Sequence, residues 1–192
     1  QTQVIQTIPN TAETSTPLPA STLTLAQVLD VVWKVGMAAM AAFFLLANLR
    51  FRLNLRKSRV PFPAEGCPLP VYLSDRLSSP CLVGLARPAI YLTPAAVQSD
   101  RLDYVLLHER THAKHLDPLW ALLRCVCLTI YWFHPLVWAA AILSRTDCEL
   151  ACDEGAMAAL DHSGRLAYGR TLLALVPVWG RPTNPLLAAT TM

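Results

Sequence analysis

Apolar residues are spread unevenly along the chain, and the changes in their pattern predict its elements. Residues 1–22 are rich in Thr, Ser and Pro without periodicity, which predicts a disordered or extracytoplasmic tail. Residues 23–49 form an almost unbroken apolar run, and about 20 apolar residues suffice to cross a bilayer. Its only charges, Asp30 and Lys34, are spaced to pair on one helix face. We therefore expect an N-terminal transmembrane helix, with a buried core helix as the alternative.

A basic segment, residues 50–60, follows the apolar run directly. Such an excess of Lys and Arg is typical of the cytoplasmic flank of a spanning helix. It predicts an integral membrane protein with its N-terminus outside and everything after residue 50 starting on the cytoplasmic side. No aromatic residues are interleaved in a reading motif, so direct nucleic-acid binding is not expected. The basic residues are Arg50, Arg52, Arg56, Lys57 and Arg59.

The pattern changes again in residues 61–180, which we interpret as one α+β domain followed by a tail at 181–192. Its first part holds short apolar runs separated by Pro, Ser, Asp and Gly, which predict a small antiparallel sheet. After Pro94 the apolar period becomes helical. The predicted helices cover about 99–116, 147–160 and 165–176.

One apolar stretch, residues 119–144, is harder to place. Pro135 is expected to kink or split it, because proline removes a backbone donor and clashes with the preceding turn. A spanning hairpin, an interfacial helix and a helix packed on the core all fit its periodicity, and these alternatives stay open here.

Composition narrows the class of protein. The chain is 54% hydrophobic and 15% charged with a mean hydropathy of +0.37, which excludes a disordered chain and favours lipid contact. The net charge of +3 is too mild to indicate a nucleic-acid partner. Six cysteines occur without a CxxC spacing, so we expect reduced, packed thiols instead of a disulfide framework.

The motif HExxH occurs on the first predicted helix after the sheet, as His108-Glu109-Arg110-Thr111-His112. Side chains at i and i+4 project from one face, one turn apart, so the imidazoles of His108 and His112 can reach a single ion. Glu109 lies near enough to hold a water molecule without being a third ligand. The spacing therefore predicts a metal site.

A catalytic zinc site commonly has three protein ligands and an open fourth position, so a third ligand must come from elsewhere. We choose Glu149 in the segment ELACD, because it lies on its own predicted helix with Asp153 one turn further along the same face. Asp153 can then hydrogen-bond the imidazole N–H of His108 or His112. An exposed acidic helix face is the competing interpretation. The rival ligands that spacing leaves open are Asp147, Asp153 and Glu154.

The remaining His and Cys candidates are expected to be structural. The helix ends near Pro118, before an extended HExxHxxGxxH pattern could be completed. Cysteines spaced i, i+4 on a helix are more often packed thiols than ligands. These residues are His115, His134, Cys148 and Cys152.

Five separate blocks occur in order over roughly residues 80–175: GLARPAIYLTP, HERTH, YWFHPLVW, RTDCELACDE and RLAYGRTLL. Together they resemble the BlaR/MecR-type antirepressor metallopeptidases, integral-membrane zinc peptidases that share a gluzincin catalytic plan with the HtpX-type proteases. The resemblance implies a zincin-like domain, in which a small antiparallel sheet accompanies the helices carrying HExxH and ELACD, with an N-terminal transmembrane helix.

Carried over position by position, the resemblance implies a zinc ion held by His108, His112 and Glu149, with Glu109 as the catalytic base. It implies a zinc-dependent metalloendopeptidase that, in response to a signal, cuts a cytoplasmic transcriptional repressor or its own chain. An extended substrate is expected to pair with the strand near Cys81–Leu85 or the one near Ala89–Leu92. The motif positions with supporting roles are Asp153, Asp117 and Arg145. The candidates for stabilising the oxyanion are Tyr168 and His162.

The expected partners are therefore a protein substrate and the lipid bilayer, with a homodimer left open. For the sensor branch of this family, the resemblance implies that a penicillin-binding module with an SxxK motif is joined to the peptidase. The sequence departs from this pattern, because its 192 residues contain no SxxK. Either that module lies beyond residue 192, or the chain belongs to the wider family without it. Two other functions stay open: a non-catalytic membrane signalling or scaffold protein with a structural zinc, and a metal-independent membrane module.

Overall fold

The computed structural model describes residues 24–98 and 101–179, so the tails predicted at 1–22 and 181–192 lie outside the described residues. The helices are α1 Leu25–Ser58, α2 Pro94–Val97, α3 Leu102–Lys114, α4 Asp117–Ile130, α5 Pro135–Ala158 and α6 His162–Trp179. The strands are β1 Val60–Pro61, β2 Val71–Leu73, β3 Cys81–Val83 and β4 Ala89–Leu92.

Helix α1 begins with a capping box. The Thr24 side chain accepts from the backbone N–H of Gln27, and the Gln27 side chain accepts from the Thr24 N–H at 2.9 Å. The predicted pairing is present, with Lys34 Nζ 2.7 Å from Asp30 Oδ2. Only 6% of its most apolar stretch is buried, so it is not a core helix. Among the described residues it is the one helix long and apolar enough, by length and composition, to cross a bilayer.

The helix does not end where its apolar run ends at Leu49, but continues through the basic residues to Ser58. This last part is structural, because Phe51 and the buried Leu55 pack on the sheet face formed by Cys81 and Tyr91. The apolar part of α1 and the following domain are thus joined by continuous helix. The domain boundaries drawn from the sequence stay a prediction.

The sheet has the order β1-β2-β4-β3, and it is mixed where the sequence predicted an antiparallel sheet. β1 pairs with β2 and β3 with β4 antiparallel, but β2 and β4 are parallel. The chain leaves β2, forms β3 at the outer edge and turns back to place β4 in between. Gly84 makes this turn possible, because its φ is +114° and a Cβ there would lie 2.4 Å from the Arg87 carbonyl oxygen. Short apolar runs predict that strands exist, but not their order.

The other sheet face packs on α3 and forms the main core. Ile90 and Leu92 of the central strand are fully buried against Val105 and Leu106 of α3. Leu82 of β3 belongs to the same cluster. The sheet therefore lies between the end of α1 and the helix that carries HExxH.

Pro135 splits the apolar stretch, as predicted: α4 ends at Ile130 and α5 begins at Pro135. Helix α5 then runs without a break to Ala158, so the helix predicted separately at 147–160 is its second half. The hairpin lies along α1. Trp33 Nε1 donates to the Ile130 carbonyl at 2.9 Å, and the Trp132 ring occupies the space where a Cβ on Gly36 would lie. Large apolar side chains of this hairpin are exposed: Leu119, Trp120, Leu122, Leu123, Ile142 and Leu143.

Candidate metal centre

Three donor atoms from two helices converge on one point. On α3 the Nε2 atoms of His108 and His112 lie 3.0 Å apart, one turn from each other. Glu149 of α5 brings its Oε2 to 3.7 Å from the first and 3.8 Å from the second. All three donors lie within 4.8 Å of one another, which is the spacing expected when each is about 2 Å from a shared zinc ion. Two imidazoles and a carboxylate are a ligand set that zinc accepts.

Each imidazole is held at Nδ1, so its Nε2 is directed at the shared point. Behind His108, Nδ1 lies 3.1 Å from Asp153 Oδ1 of α5 and 2.8 Å from the Tyr168 hydroxyl of α6. The same hydroxyl donates to Asp153 at 2.7 Å. Such carboxylate contacts orient a ligating imidazole and raise its basicity.

Behind His112, Nδ1 lies 2.6 Å from Oδ2 of the buried Asp117. The Cys152 thiol, which has no solvent exposure, donates to that same oxygen at 3.0 Å. A tight turn supplies Asp117: Leu116, between α3 and α4, adopts a left-handed conformation with φ +59°. That conformation costs a non-glycine residue about 1–2 kcal/mol, so the rest of the fold must hold the turn in place.

The position of the third candidate donor, Glu149, depends on how closely α5 approaches α3. Gly155 makes this approach possible, because a Cβ there would lie 3.0 Å from the Thr111 methyl group and 3.2 Å from the His115 ring. The close packing brings Glu149 and Asp153 within reach of α3. Arg145, one turn before Glu149, adds a positive charge that helps to hold the pKa of Glu149 down.

Glu109 lies beside the three donors and is 4% exposed. Its carboxylate accepts a hydrogen bond from the backbone of Leu82 in β3. Burial raises the pKa of Glu109, and the nearby imidazoles only partly oppose this. A glutamate with a raised pKa beside a metal site is suited to accepting and returning a proton at neutral pH.

The charges around the imidazoles favour a bound cation. Burial lowers the pKa of His108, but hydrogen bonding of its imidazole to the carboxylates of Asp153 and Glu149 outweighs burial and raises the pKa to about 10. For Asp117, Glu149 and Asp153, burial raises the pKa, but hydrogen bonds from their partners outweigh it and the net pKa is lowered. With Glu109, four acidic side chains thus surround two imidazoles, and a divalent cation would offset part of their negative charge.

The structure separates the remaining candidates. Asp147 and Glu154 are exposed and belong to no ligand group among the described residues, whereas Asp153 faces His108. His115 lies 3.8 Å from the Cys152 thiol, behind the site. The predicted oxyanion partner Tyr168 is 1% exposed and turned to Nδ1 of His108, away from the shared point. His134 and His162 are exposed at the starts of α5 and α6.

Sequence reasoning missed the buried thiol beside Asp117. Cys152 was expected to be a packed cysteine, and it is packed, but its hydrogen bond to Asp117 makes it part of the support of a ligand. Its position three residues after Glu149, on the helix that supplies that ligand, was the only available signal.

The fold and the site together define a class. An HExxH helix behind a small sheet, completed by a glutamate from a later helix, is the arrangement of the zincin-like metallopeptidases. The chain belongs to the M56 peptidase family, since the family model described as BlaR1 peptidase M56 matches residues 2–192.

The curated relatives share less than a third of the aligned residues with this chain and are much longer than it. Regulatory protein BlaR1 of Bacillus licheniformis is 30% identical over 177 residues, which cover 82% of this chain and 29% of that protein. The methicillin resistance mecR1 proteins of Staphylococcus aureus and Staphylococcus epidermidis are 27% identical over 128 residues, covering 65% of this chain and 22% of theirs. The chain spans less than a third of the length of these relatives. The family and α1 together support a peptidase-type protein located at a membrane.

Proposed function

We propose that this chain is the zinc-dependent endopeptidase core of a membrane-bound signalling protein. The observation that carries the proposal is the convergence of His108 Nε2, His112 Nε2 and Glu149 Oε2 beside the buried Glu109. Structural zinc sites are normally closed by four protein ligands, whereas catalytic sites keep one position open. A set of three donors therefore favours an enzyme over a scaffold protein with a structural zinc.

The chain's own residues divide the work of hydrolysis. His108, His112 and Glu149 would hold a zinc ion, which would supply polarisation of the scissile carbonyl and make a bound water a stronger acid. Glu109 takes the proton of the attacking water and returns it to the leaving amine, for which its raised pKa is suited. Asp153 and Asp117 keep His108 and His112 in the tautomer that presents Nε2.

The substrate is proposed to pair with β3, because β3 is an outer strand whereas β4 is hydrogen-bonded on both sides. The Ile90 N–H donates to the Pro70 carbonyl, so the backbone polar groups of Ile90 face β2. Leu82 of β3 is paired with Ile90, and because Ile90 faces β2, the backbone N–H and C=O of Leu82 point away from β4 to the free edge of the sheet. At this edge the Glu109 carboxylate accepts a hydrogen bond from the Leu82 backbone. An extended peptide added to this edge would pass directly beside the catalytic base.

The location and the substrate class rest on two further arguments. The basic residues that follow the apolar part of α1 support a cytoplasmic location for the end of this helix and for the sheet packed on it. The family resemblance points to a cytoplasmic transcriptional repressor, or to the chain itself, as the protein that is cut. We retain both substrates, and a homodimer, as proposals.

The test is a Glu109→Gln variant of the whole chain in lipid nanodiscs. We expect it to retain zinc at the wild-type ratio and to lose at least about 100-fold in peptide cleavage, because general base catalysis contributes roughly 10²–10⁴-fold. Metal analysis and cleavage of a peptide library are the measurements. The matched control is Glu154→Gln, an exposed glutamate of α5. Cleavage at the wild-type rate by Glu109→Gln would refute the proposed role.

A further inference from the structure

A cleft of about 620 Å³ separates α1 from α4, outside the metal centre. Its α1 wall runs from Ala41 to Arg52, and its α4 wall runs from Pro118 to Ile130. Residues 82–85, at the end of β3 and in the following turn, line the cleft as well. The cleft volume lies within the range of small-molecule binding sites, roughly 300–1,000 Å³.

The length and lining of the cleft match a hydrocarbon chain. Eleven helical steps from Ala41 to Arg52 span about 16 Å, close to the roughly 15 Å of hydrocarbon in one leaflet. Most of the lining side chains are apolar, so an acyl chain of one leaflet matches both the length and the chemistry of the cleft.

Polar groups in the lining lie mostly at the end of the cleft that meets the basic segment. The rim is apolar and exposed, with Leu45 at 71% and Leu122 at 49%. Asn48 and Arg52 line the end of the α1 wall, where the basic residues begin. No carboxylate lines the cleft, and no ion pair joins Arg52 to an acidic side chain in the described part of the chain. An apolar channel with a cationic end is complementary to an anionic lipid.

We propose that this cleft binds an anionic phospholipid of the cytoplasmic leaflet, with an acyl chain between α1 and α4 and the phosphate at Arg52. The inference rests on the membrane position proposed above. It also links the bilayer to the peptidase, because Leu82 lines the cleft and its backbone hydrogen-bonds the Glu109 carboxylate. A lipid in this cleft therefore contacts the strand that is proposed to hold the substrate.

The experiment counts bound lipid by native mass spectrometry and needs no cleavage. The whole chain, carrying Glu109→Gln to prevent self-cleavage, is taken from vesicles of equal phosphatidylglycerol and phosphatidylcholine into a mild detergent. We expect about one phosphatidylglycerol per chain to be retained, at least fivefold in excess over phosphatidylcholine. Retention of neither lipid, or of both equally, would overturn the proposal, while zinc content and wild-type cleavage would still test the peptidase separately.

Two matched pairs of variants locate the site. Arg52→Gln should remove the preference for phosphatidylglycerol, whereas Arg50→Gln, which lies outside the cleft, should keep it. Ala121→Phe, which fills the channel, should lose the lipid, whereas Leu123→Phe on the exposed side of α4 should retain it. Equal effects of the two arginine variants would indicate general surface attraction and refute the site. Because Arg52 is exposed, its variant keeps the test valid even if Ala121→Phe fails to fold.

Discussion

The two imidazoles of the metal centre are held by different parts of the molecule. His112 is fixed by Asp117, five residues later in the chain and 2.6 Å away, with a carboxylate side chain that is 3% exposed. His108 is fixed by Asp153 at 3.1 Å, whose side chain is 30% exposed, and by Tyr168 from α6. The carboxylate behind His112 is close in the chain and buried, whereas the carboxylate behind His108 is far along the chain and partly exposed.

This difference indicates how the site forms. The Asp117 carboxylate behind His112 is supplied by the α3–α4 turn at Leu116, and α5 adds only the Cys152 thiol to it. The support of His108 comes entirely from α5 and α6, docked on α3. The third candidate donor, Glu149, lies on the same helix as Asp153 and depends on the same docking. One carboxylate of the site is therefore supplied by a local turn, whereas the other groups are brought in by the tertiary structure.

The sharpest test compares the two carboxylates. Loss of a carboxylate behind a ligating histidine typically costs about 10–100-fold in metal affinity. We expect Asp117→Asn to lie at the upper end of that range and Asp153→Asn at the lower end, because the first carboxylate is buried and closer to its imidazole. Zinc affinity from chelator competition is the measurement, with the exposed Asp147→Asn as control. Equal losses would show that the supports are equivalent.

A second test uses pH on the metal-free protein. The folded-state pKa of His108 is raised from 6.5 to about 10, so its contribution to stability is complete below pH 6.5 and is lost as pH rises towards 10. Three carboxyl groups have folded-state pKa values below their ordinary values near 4: Asp117, Glu149 and Asp153. Their contribution to stability is present above about pH 4 and is lost as the pH falls further. We therefore expect Tm to be highest between about pH 5 and 6.5 and to fall by several degrees at pH 9.

Zinc should reverse the alkaline part of this profile, because protons and metal compete for Nε2 of the same imidazoles. Thermal unfolding in detergent, with chelator or with zinc, measures both profiles. In the Asp153→Asn variant the alkaline loss should shrink, since the Asp153 carboxylate hydrogen-bonds the His108 imidazolium and raises its pKa. A Tm that stays flat from pH 6.5 to 9 in the metal-free wild type would contradict the assignment.

The smallest expected effect tests Cys152. Its thiol donates to Asp117, so Cys152→Ala removes a buried donor and should weaken zinc binding by several-fold, whereas Cys152→Ser keeps a donor and should stay near wild type. The control is Cys127→Ala on α4. If alanine and serine behave alike, the thiol is only a packing group and the His112 support consists of Asp117 alone.

Much of the architecture could be read from local patterns. The apolar run predicted α1, Pro135 predicted the break between α4 and α5, and the HExxH spacing placed His108 and His112 on one helix face. The strand order could not be predicted, because short apolar runs do not specify which strands pair. In the sheet, β4 lies between β2 and β3, so that β3 is an outer strand. The helical continuation past Leu49 was also missed, since the basic residues that follow the apolar run do not disfavour a helix.

What the sequence determined by itself was everything that depends on helix or strand period: the apolar helix, the paired histidines, and Glu109 next to them. What only the tertiary structure decided was which distant groups meet. Spacing alone left Glu149 with acidic rivals, although it was the chosen ligand and the one that the family resemblance implied. The close approach of α5 at Gly155 brings its oxygen to the imidazoles. The physical reason is that side-chain periodicity is a property of consecutive residues, whereas the convergence of α3, α5 and α6 depends on the packing of surfaces far apart in the chain.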